Sequence, residues 1–485
     1  MSTRILIIGL DGFTSAVLDP LLENNRLPHL GKLRDDGGYC PLCSTIPVNS
    51  AAAWTSSRTG VNPGRHGVFS FWRYHAYQWV VAGSADILVP TIEQIVSRRG
   101  YRVCGINIPL SYPPQPVNGA FLSGLPTPGD RHDYVYPREL YHELKAARLE
   151  FPVDGVGMLN TTSPLTLVQQ LSEIHERRRD VTRYLLAREP WDLFWVVFTL
   201  ADKLQHLLWR LREQVLTDGK SPYEIHPGSA VDSCYQILDE TVGLLLQEID
   251  DRSTVLVVSD HGFGPCRVLF QPNLWLRSHN YLRLKTGHRI RARSLRFNAQ
   301  VAGNLCRPRL EIGQPYRRIR WGKTFAFSDL YVEPLGIRIN LKGREPRGIV
   351  RGGRDAERLR QTLRDELSST ETSLGEMPPR LHLHEREDLY SGPFVEQAPD
   401  LILDSGESAV RFLGEFTHGE VFSEPGPWPD VTGSHRPMGI LVGRGRGIGA
   451  GFDAGHRHIE DLSPTILALL GESIPPYMEG TPLVG

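Results

Sequence analysis

Short apolar runs bounded by turn residues recur along the chain at Arg4–Leu10, Tyr101–Ile108, Asp192–Leu200, Ser253–Ser259, Asp400–Leu403 and Gly439–Gly443. Continuous apolarity over a length too short for a helix predicts strands buried on both faces. Between these runs, apolar residues recur at intervals of three and four over Thr91–Arg99, Ser163–Leu186, Ala230–Ile249, Asp355–Leu367 and Ile459–Leu470. That spacing gathers them on one face of a helix. Buried strands alternating with amphipathic helices predict an α/β fold, with a mostly parallel sheet covered by helices on both faces.

Composition excludes several function classes. The 485 residues carry 54 Lys+Arg against 55 Asp+Glu, a net charge of −1. Such a chain has no electrostatic basis for bulk nucleic-acid or membrane binding. A 40% hydrophobic and 22% charged composition is that of a folded protein rather than a disordered scaffold. The longest apolar stretches, such as Leu193–Phe198, fall far short of the ~20 residues needed to span a bilayer. The first apolar run is too short for a signal-peptide core and ends at Asp11, so a cytoplasmic location is expected. Six cysteines do not make a disulfide framework, and the lone pair Cys40 and Cys43 reads as packing.

Charge is unevenly distributed in one place. Between Arg283 and Lys323 stand 12 Lys/Arg and a single acid, Glu311. The stretch follows soon after a strand end and reads as an insertion leaving the sheet edge. It is either a solvated basic loop or a cap that attracts an anionic substrate. The expected division is a catalytic core of residues 1–262 and 324–485, interrupted at about 115–190, with a basic cap at 263–323.

In open α/β sheets, ligands bind outside the carboxyl ends of the strands. The residues found there are Asp11-Gly12, Asp202 with His206, and Asp260-His261-Gly262. His435 ends a polar loop, Asp430–His435, just before the late strand. Taken singly, Asp11 could be a helix cap, and Asp202 and His206 an i, i+4 helix pair. Together, three carboxylates and three imidazoles at one sheet edge suit zinc or manganese better than all-oxygen cations. Six ligands divide into two catalytic sites of three, each with open positions, as in two-metal displacement at phosphorus. Ser50, at the start of a helical stretch, occupies an N-cap position. There a helix N-terminus would also stabilise an alkoxide or a phosphoryl group.

With these residues in place, the chain resembles the alkaline phosphatase superfamily. Within it, the closest resemblance is to the prokaryotic form of the type I phosphodiesterase/nucleotide pyrophosphatase family. The resemblance is carried by Ile7–Gly12, by Asn49–Ser56 with Thr59–Phe69, by Asn107–Pro109 with Tyr112–Pro114, and by Asp202–His206. It continues through Ser259–Phe263, Asn340–Pro346, Gly433–Pro437 and the tail around Asp461–Leu467. It implies an alkaline-phosphatase-like core with inserted cap segments. It further implies two divalent ions, usually zinc and sometimes manganese or iron. Asp202, His206 and His435 would hold one ion; Asp11, Asp260 and His261 would hold the other. Ser50 Oγ would be a further ligand of the second ion and the nucleophile.

The sequence departs from the better-known nucleotide pyrophosphatases. Ser50 stands where they commonly use Thr, and no proline lies within Ala51–Ala53. Their phosphate-binding Asn is not matched by Phe69–Trp72, so Asn107 and Asn49 are the candidate substrate-binding donors, with backbone packing as the alternative. A sulfatase is disfavoured, because Ala52 and Trp54 occupy the places of its proline and arginine.

The expected function is a metal-dependent hydrolase cleaving phosphodiesters or nucleotide pyrophosphates through a phosphoserine. The expected partner is a small phosphorylated substrate. A phosphomonoesterase or mutase-like phosphotransferase, with Arg58, Arg65 or Arg73 as extra donors, is the alternative within the superfamily. A catalytically silent nucleotide-binding relative is the alternative outside enzymes.

Overall fold

Alternate residues of the first strand, β1 (Ile5–Leu10), enter two different cores. Leu6, Ile8 and Leu10 pack into one apolar cluster, and Ile5 and Ile7 into another. Both faces of the strand are therefore buried, which is why its sequence lacks a polar alternation. β2 (Leu193–Phe198) and β3 (Thr254–Val258) flank it in parallel and divide their side chains in the same way. The described residues of this computed structural model are 4–128, 132–153, 163–188, 190–217, 229–285, 318–329, 335–370, 381–414, 419–452 and 455–484. Most of the basic stretch lies outside them.

Among the described residues, the main sheet has nine strands. In spatial order they are Arg457–His458, Gly38–Cys43, Met438–Arg444, β3, β1, β2, Val103–Ile108, Gly119–Ser123 and Val135–Tyr136. The five from β3 to Gly119–Ser123 run parallel. Antiparallel pairing enters at Met438–Arg444 on one side and Val135–Tyr136 on the other. One face is covered mainly by the helices Pro164–Arg188, α2 (Leu200–Thr217) and α3 (Ala230–Gln247). The other face carries α1 (Ser50–Thr59), Ile92–Arg98 and Leu462–Leu470. This is the α/β architecture expected from the sequence. Among the described residues, no helix is long and apolar enough to cross a membrane.

The strand predicted at Asp400–Leu403 forms as Leu401–Asp404, but in a separate four-stranded antiparallel sheet with Ala326–Ser328, Gly336–Ile339 and His382–Glu385. A short apolar run signals burial but not its partner. A third apolar cluster joins this sheet to β5 (Val410–Phe412) and to the hairpin Trp72–Val81. The antiparallel sheet, this cluster and the hairpin make up a second layer. Asn340 anchors it: its amide donates to the carbonyls of Trp321 and Thr324 and its Oδ1 accepts from Tyr77. The Asn340–Pro346 motif therefore builds the second layer. The polar loop predicted at Asp430–His435 ends instead in a strand, β6 (Gly433–Arg436), paired antiparallel with β4 (Gly262–Pro265). Gly-Ser-His-Arg carries no apolar alternation, so only the ladder to β4 makes it a strand.

Candidate active site

Three parallel strands end on carboxylates. β1 runs into Asp11 and β3 into Asp260-His261, while α2, which begins two residues after β2, carries Asp202 and His206 one turn apart. At Gly12 the backbone has φ +71°, and a Cβ there would meet Asp202 Cα at 3.2 Å. Only glycine allows the turn after β1 to approach α2 so closely. Gln205 fixes the approach, donating its amide to Gly12 O at 2.8 Å while accepting from the Tyr235 hydroxyl at 3.1 Å. The β4–β6 ladder then sets His435 opposite Phe263 and brings its ring to 3.9 Å from that of His261.

The seven predicted residues meet in two groups. Around Asp202 Oδ1, His206 Nε2 and His435 Nε2 each lie at 3.3 Å, and the two nitrogens are 3.1 Å apart. Around His261 Nε2 lie Ser50 Oγ at 3.2 Å, Asp260 Oδ2 at 3.5 Å and Asp11 Oδ1 at 3.7 Å. Ser50 Oγ is also 3.5 Å from Asp11 Oδ1. Asp202 links the groups, because one of its oxygens also lies within 4.8 Å of ligand atoms of Asp11 and His261.

Ser50 is the first residue of α1, not its cap. Asn49 is the cap, with Oδ1 accepting from Ala52 N at 3.0 Å and Nδ2 donating to Pro47 O and Phe69 O. The Ser50 hydroxyl is thereby left to face the imidazole, at a helix end whose first N–H groups have no intrahelical acceptor. Asn49 is thus held by three backbone groups. Asn107 sits at φ +57°, where the ladder to Gly119–Ser123 shifts register, and donates to Val197 O at 2.7 Å. Both carboxamides brace backbone, the alternative to the expected substrate contact. Trp54, Lys203 and Arg411 stand beside the site without having been assigned a role from the sequence. Trp54 Nε1 lies 3.4 Å from Asp11 Oδ2, Lys203 Nζ 2.9 Å from Asp202 Oδ2, and Arg411 Nη1 3.0 Å from His206 Nδ1. The first two are sequence neighbours of predicted residues, but nothing in the order of residues brings Arg411 to the site.

The electrostatics are those of a crowded anionic pocket. Burial, then the charges of Asp260 and Asp202, hold the Asp11 carboxyl well above its ordinary range. Burial and Asp202 push Asp260 up to about 7. Burial acts on Asp202 as well, but Lys203 and the imidazoles of His206 and His435 outweigh it and hold that carboxyl well below its usual range. Burial keeps His261 neutral, with its pKa lowered to about 3, and lowers that of His206 too. Three carboxylates at such distances ionise together only if cations join them.

The donor set fits divalent cations. Asp202 Oδ1 and Asp260 Oδ2 are buried without a hydrogen-bond partner. His261 and His435 each turn Nδ1 to a carbonyl, of Gly262 at 3.0 Å and of Val48 at 3.3 Å, whereas His206 Nδ1 lies between Gly433 O at 3.4 Å and Arg411 Nη1 at 3.0 Å. An Nδ1–H donating to such a carbonyl leaves the Nε2 lone pair pointing into the cluster, the tautomer a metal requires. Asp202, His206 and His435 could hold one ion, and Asp11, Asp260, His261 and Ser50 Oγ a second. The three arginines considered as extra donors are engaged elsewhere: Arg58 with Glu93, Arg65 with Glu479 and Arg73 with Asp86.

Residues 5–428 match the family model described as type I phosphodiesterase / nucleotide pyrophosphatase. Among solved structures, human ectonucleotide pyrophosphatase / phosphodiesterase 5 superposes with a TM-score of 0.55 at 12% identity, over 99% of this chain and 97% of that one. An inactive murine form of it, in complex with AMP, gives 0.53 at 12% identity, over 98% and 96%. Phosphonoacetate hydrolase from Sinorhizobium meliloti 1021, in complex with phosphonoacetate, gives 0.61 at 15% identity, over 97% and 96%. A search of curated proteins finds no match to the chain.

Proposed function

Because the chain belongs to the type I phosphodiesterase / nucleotide pyrophosphatase family, and hence to the phosphoryl-transfer hydrolases, we propose that it cleaves phosphodiesters or nucleotide pyrophosphates with Ser50 as nucleophile. The observation that carries this reading is the position of Ser50 Oγ, 3.2 Å from His261 Nε2 and 3.5 Å from Asp11 Oδ1. It stands at the mouth of a cluster of six inward-facing Asp and His side chains. Bound there, two divalent ions would lower the pKa of the serine hydroxyl and offset the charge that develops on the phosphoryl and leaving oxygens.

The Ser50 hydroxyl releases its proton to solvent, and Oγ attacks phosphorus in line with the leaving oxygen, which takes up a proton from solvent as it departs. The Oγ–P bond forms, and the scissile P–O bond breaks with its electron pair moving to the leaving group. With Ala52 N and Ala53 N bonded to Asn49, the N–H groups of Ser50 and Ala51 are the donors at the start of α1 that the cap does not take and that would meet the transferred phosphoryl. Asn49 fixes the direction of attack by pinning the helix start to Pro47 and Phe69. Water then cleaves the Oγ–P bond and restores the hydroxyl, so two inversions retain configuration at phosphorus.

The test is turnover by metal-reconstituted protein of bis-p-nitrophenyl phosphate against p-nitrophenyl phosphate, with acid quenching to trap phosphorylated Ser50. The diester is expected to be the better substrate. Preferential cleavage of the monoester would replace the diesterase reading with the phosphatase one. Binding of nucleotide without turnover of either ester would make the chain a silent relative.

A further inference from the structure

Each of the three site carboxylates divides its oxygens between the cluster and the protein around it. Asp11 Oδ2 lies 3.4 Å from Trp54 Nε1, while its Oδ1 faces Ser50 Oγ and His261 Nε2. Asp260 Oδ1 accepts from Gly12 N at 3.3 Å, while its Oδ2 faces His261 Nε2 at 3.5 Å. Asp202 Oδ1 meets His206 Nε2 and His435 Nε2, each at 3.3 Å, while its Oδ2 accepts from Lys203 Nζ at 2.9 Å. The indole and the backbone amide are neutral donors. Lys203 alone of the three brings a full charge.

Helix geometry does not supply this contact. Adjacent residues of a helix do not face each other, so the Lys203 stem folds back to reach the carboxylate of the preceding residue. It lies beside a small cavity walled largely by Leu171, Ile174, Phe198 and Leu200. Among the described residues, no carboxylate lines that cavity. The Lys203 and Asp202 side chains are 23% and 4% exposed, so solvent ions screen their attraction little. The ammonium does not stand in for an ion between the imidazoles, because both Nε2 atoms converge on the other oxygen. What it occupies is the oxygen that Asp202 would need to chelate an ion through both. An ammonium there also draws on the same carboxylate charge as an ion on Oδ1, and repels that ion.

We propose that Lys203 is a positioning residue that restricts Asp202 to metal contact through Oδ1 and so keeps a coordination position open at the Asp202–His206–His435 group. An open position is what separates a catalytic metal site from a closed structural one. The ammonium gives up some metal affinity, and in exchange leaves the bound ion more electron-poor toward a phosphoryl or leaving oxygen. The inference rests on the reading of this group as a metal site. It sets Lys203 apart from Trp54 and Gly12, whose neutral donors orient a carboxylate without competing for its charge. Removing a bond that only orients a ligand weakens metal binding or activity by roughly 10–100-fold. Removing a cation that competes with the ion strengthens metal binding instead. The sign of the change therefore tells a brace from a competitor.

The experiment uses full-length apoprotein of wild type, Lys203→Met, Lys203→Gln and Lys203→Arg. Each is titrated with Mn2+ by calorimetry at fixed pH, and turnover of bis-p-nitrophenyl phosphate is measured on the loaded proteins. Both neutral variants are expected to bind Mn2+ roughly tenfold or more tightly than wild type, while kcat falls roughly ten- to a hundredfold and KM changes less. Lys203→Arg keeps the charge but not the compact ammonium, so its Mn2+ affinity should stay within about threefold of wild type and its kcat should be intermediate. Binding that is unchanged or weaker in the neutral variants makes Lys203 a brace and overturns the proposal. Tighter binding at undiminished kcat overturns it too, because no open position was lost. If Lys203→Met does not fold, Lys203→Gln decides by the same criteria. Wild type that binds no Mn2+ overturns the metal reading and the proposal with it. Wild type that binds Mn2+ but turns over no ester sinks the Ser50 reading alone, and the sign of the affinity change still decides for Lys203.

Discussion

Ser50 and Asn49 are neighbours with different tasks, and substitution separates them. Removing the Ser50 hydroxyl takes away the proposed nucleophile but none of the six Asp and His donors. Ser50→Ala is expected to lower kcat by roughly three or more orders of magnitude while elemental analysis still finds metal. Activity near that of wild type would sink the assignment. Asp202 is the residue shared by both groups. Asp202→Asn removes the one carboxylate held strongly in its ionised form and should weaken metal retention more than Asp260→Asn does. Dialysis against graded chelator, followed by elemental analysis, measures the difference. At this scale the site was legible because Asp, His and Ser each fell beside a strand end or helix start. The two asparagines were less legible, since an amide that braces a carbonyl reads the same in sequence as one that binds phosphate. Arg411 was not legible at all, because only the folded chain brings its Nη1 to 3.0 Å from His206 Nδ1.

At the scale of elements, the site depends on how α1 begins. Asn49 joins that helix end to Pro47 and Phe69, so losing its side chain should act on both stability and rate. Asn49→Ala is expected to destabilise by about 1 kcal/mol, the usual cost of a lost cap. It should also reduce kcat more than it raises KM. Asn49→Asp, which keeps the capping oxygen, should recover most of the stability in urea titrations but less of the rate. If the alanine variant kept full kcat, the brace would have no part in positioning Ser50. The parallel centre of the sheet and its covering helices were legible from period and length alone. Gly433–Arg436 was not, because its strand character comes from pairing with Gly262–Pro265 rather than from its own side chains. The same holds for Leu401–Asp404, whose apolar run gave the strand but not the sheet it joins.

The whole molecule holds imidazoles that its chemistry does not use, and these link its stability to pH. His66 is buried between Ser56 Oγ at 2.9 Å and Val68 N at 3.1 Å, and His175 between Thr241 Oγ1 at 2.8 Å and the ring of Phe198. Burial lowers the pKa of each from 6.5 to about 3. The sign follows from which state takes the proton. Above pH 6.5 both histidines are neutral whether the chain is folded or not, and their contribution is fully present. As the pH falls below that, the unfolded chain binds a proton at each position and the folded chain does not. Each group therefore removes about 1.4 kcal/mol of stability per pH unit until its folded pKa is reached. Asp260, raised to about 7, and His261, lowered to about 3, also change protonation on unfolding across this range, so the total slope mixes several sources. A variant separates them. His66→Gln or His175→Gln should each reduce the proton uptake on unfolding by about one between about pH 6 and pH 4, whatever the variant costs at neutral pH. Urea midpoints collected across that range for wild type and both variants measure the uptake as a difference of slopes. Identical slopes in all three proteins would mean that these histidines already share a proton in the folded state, contrary to their burial.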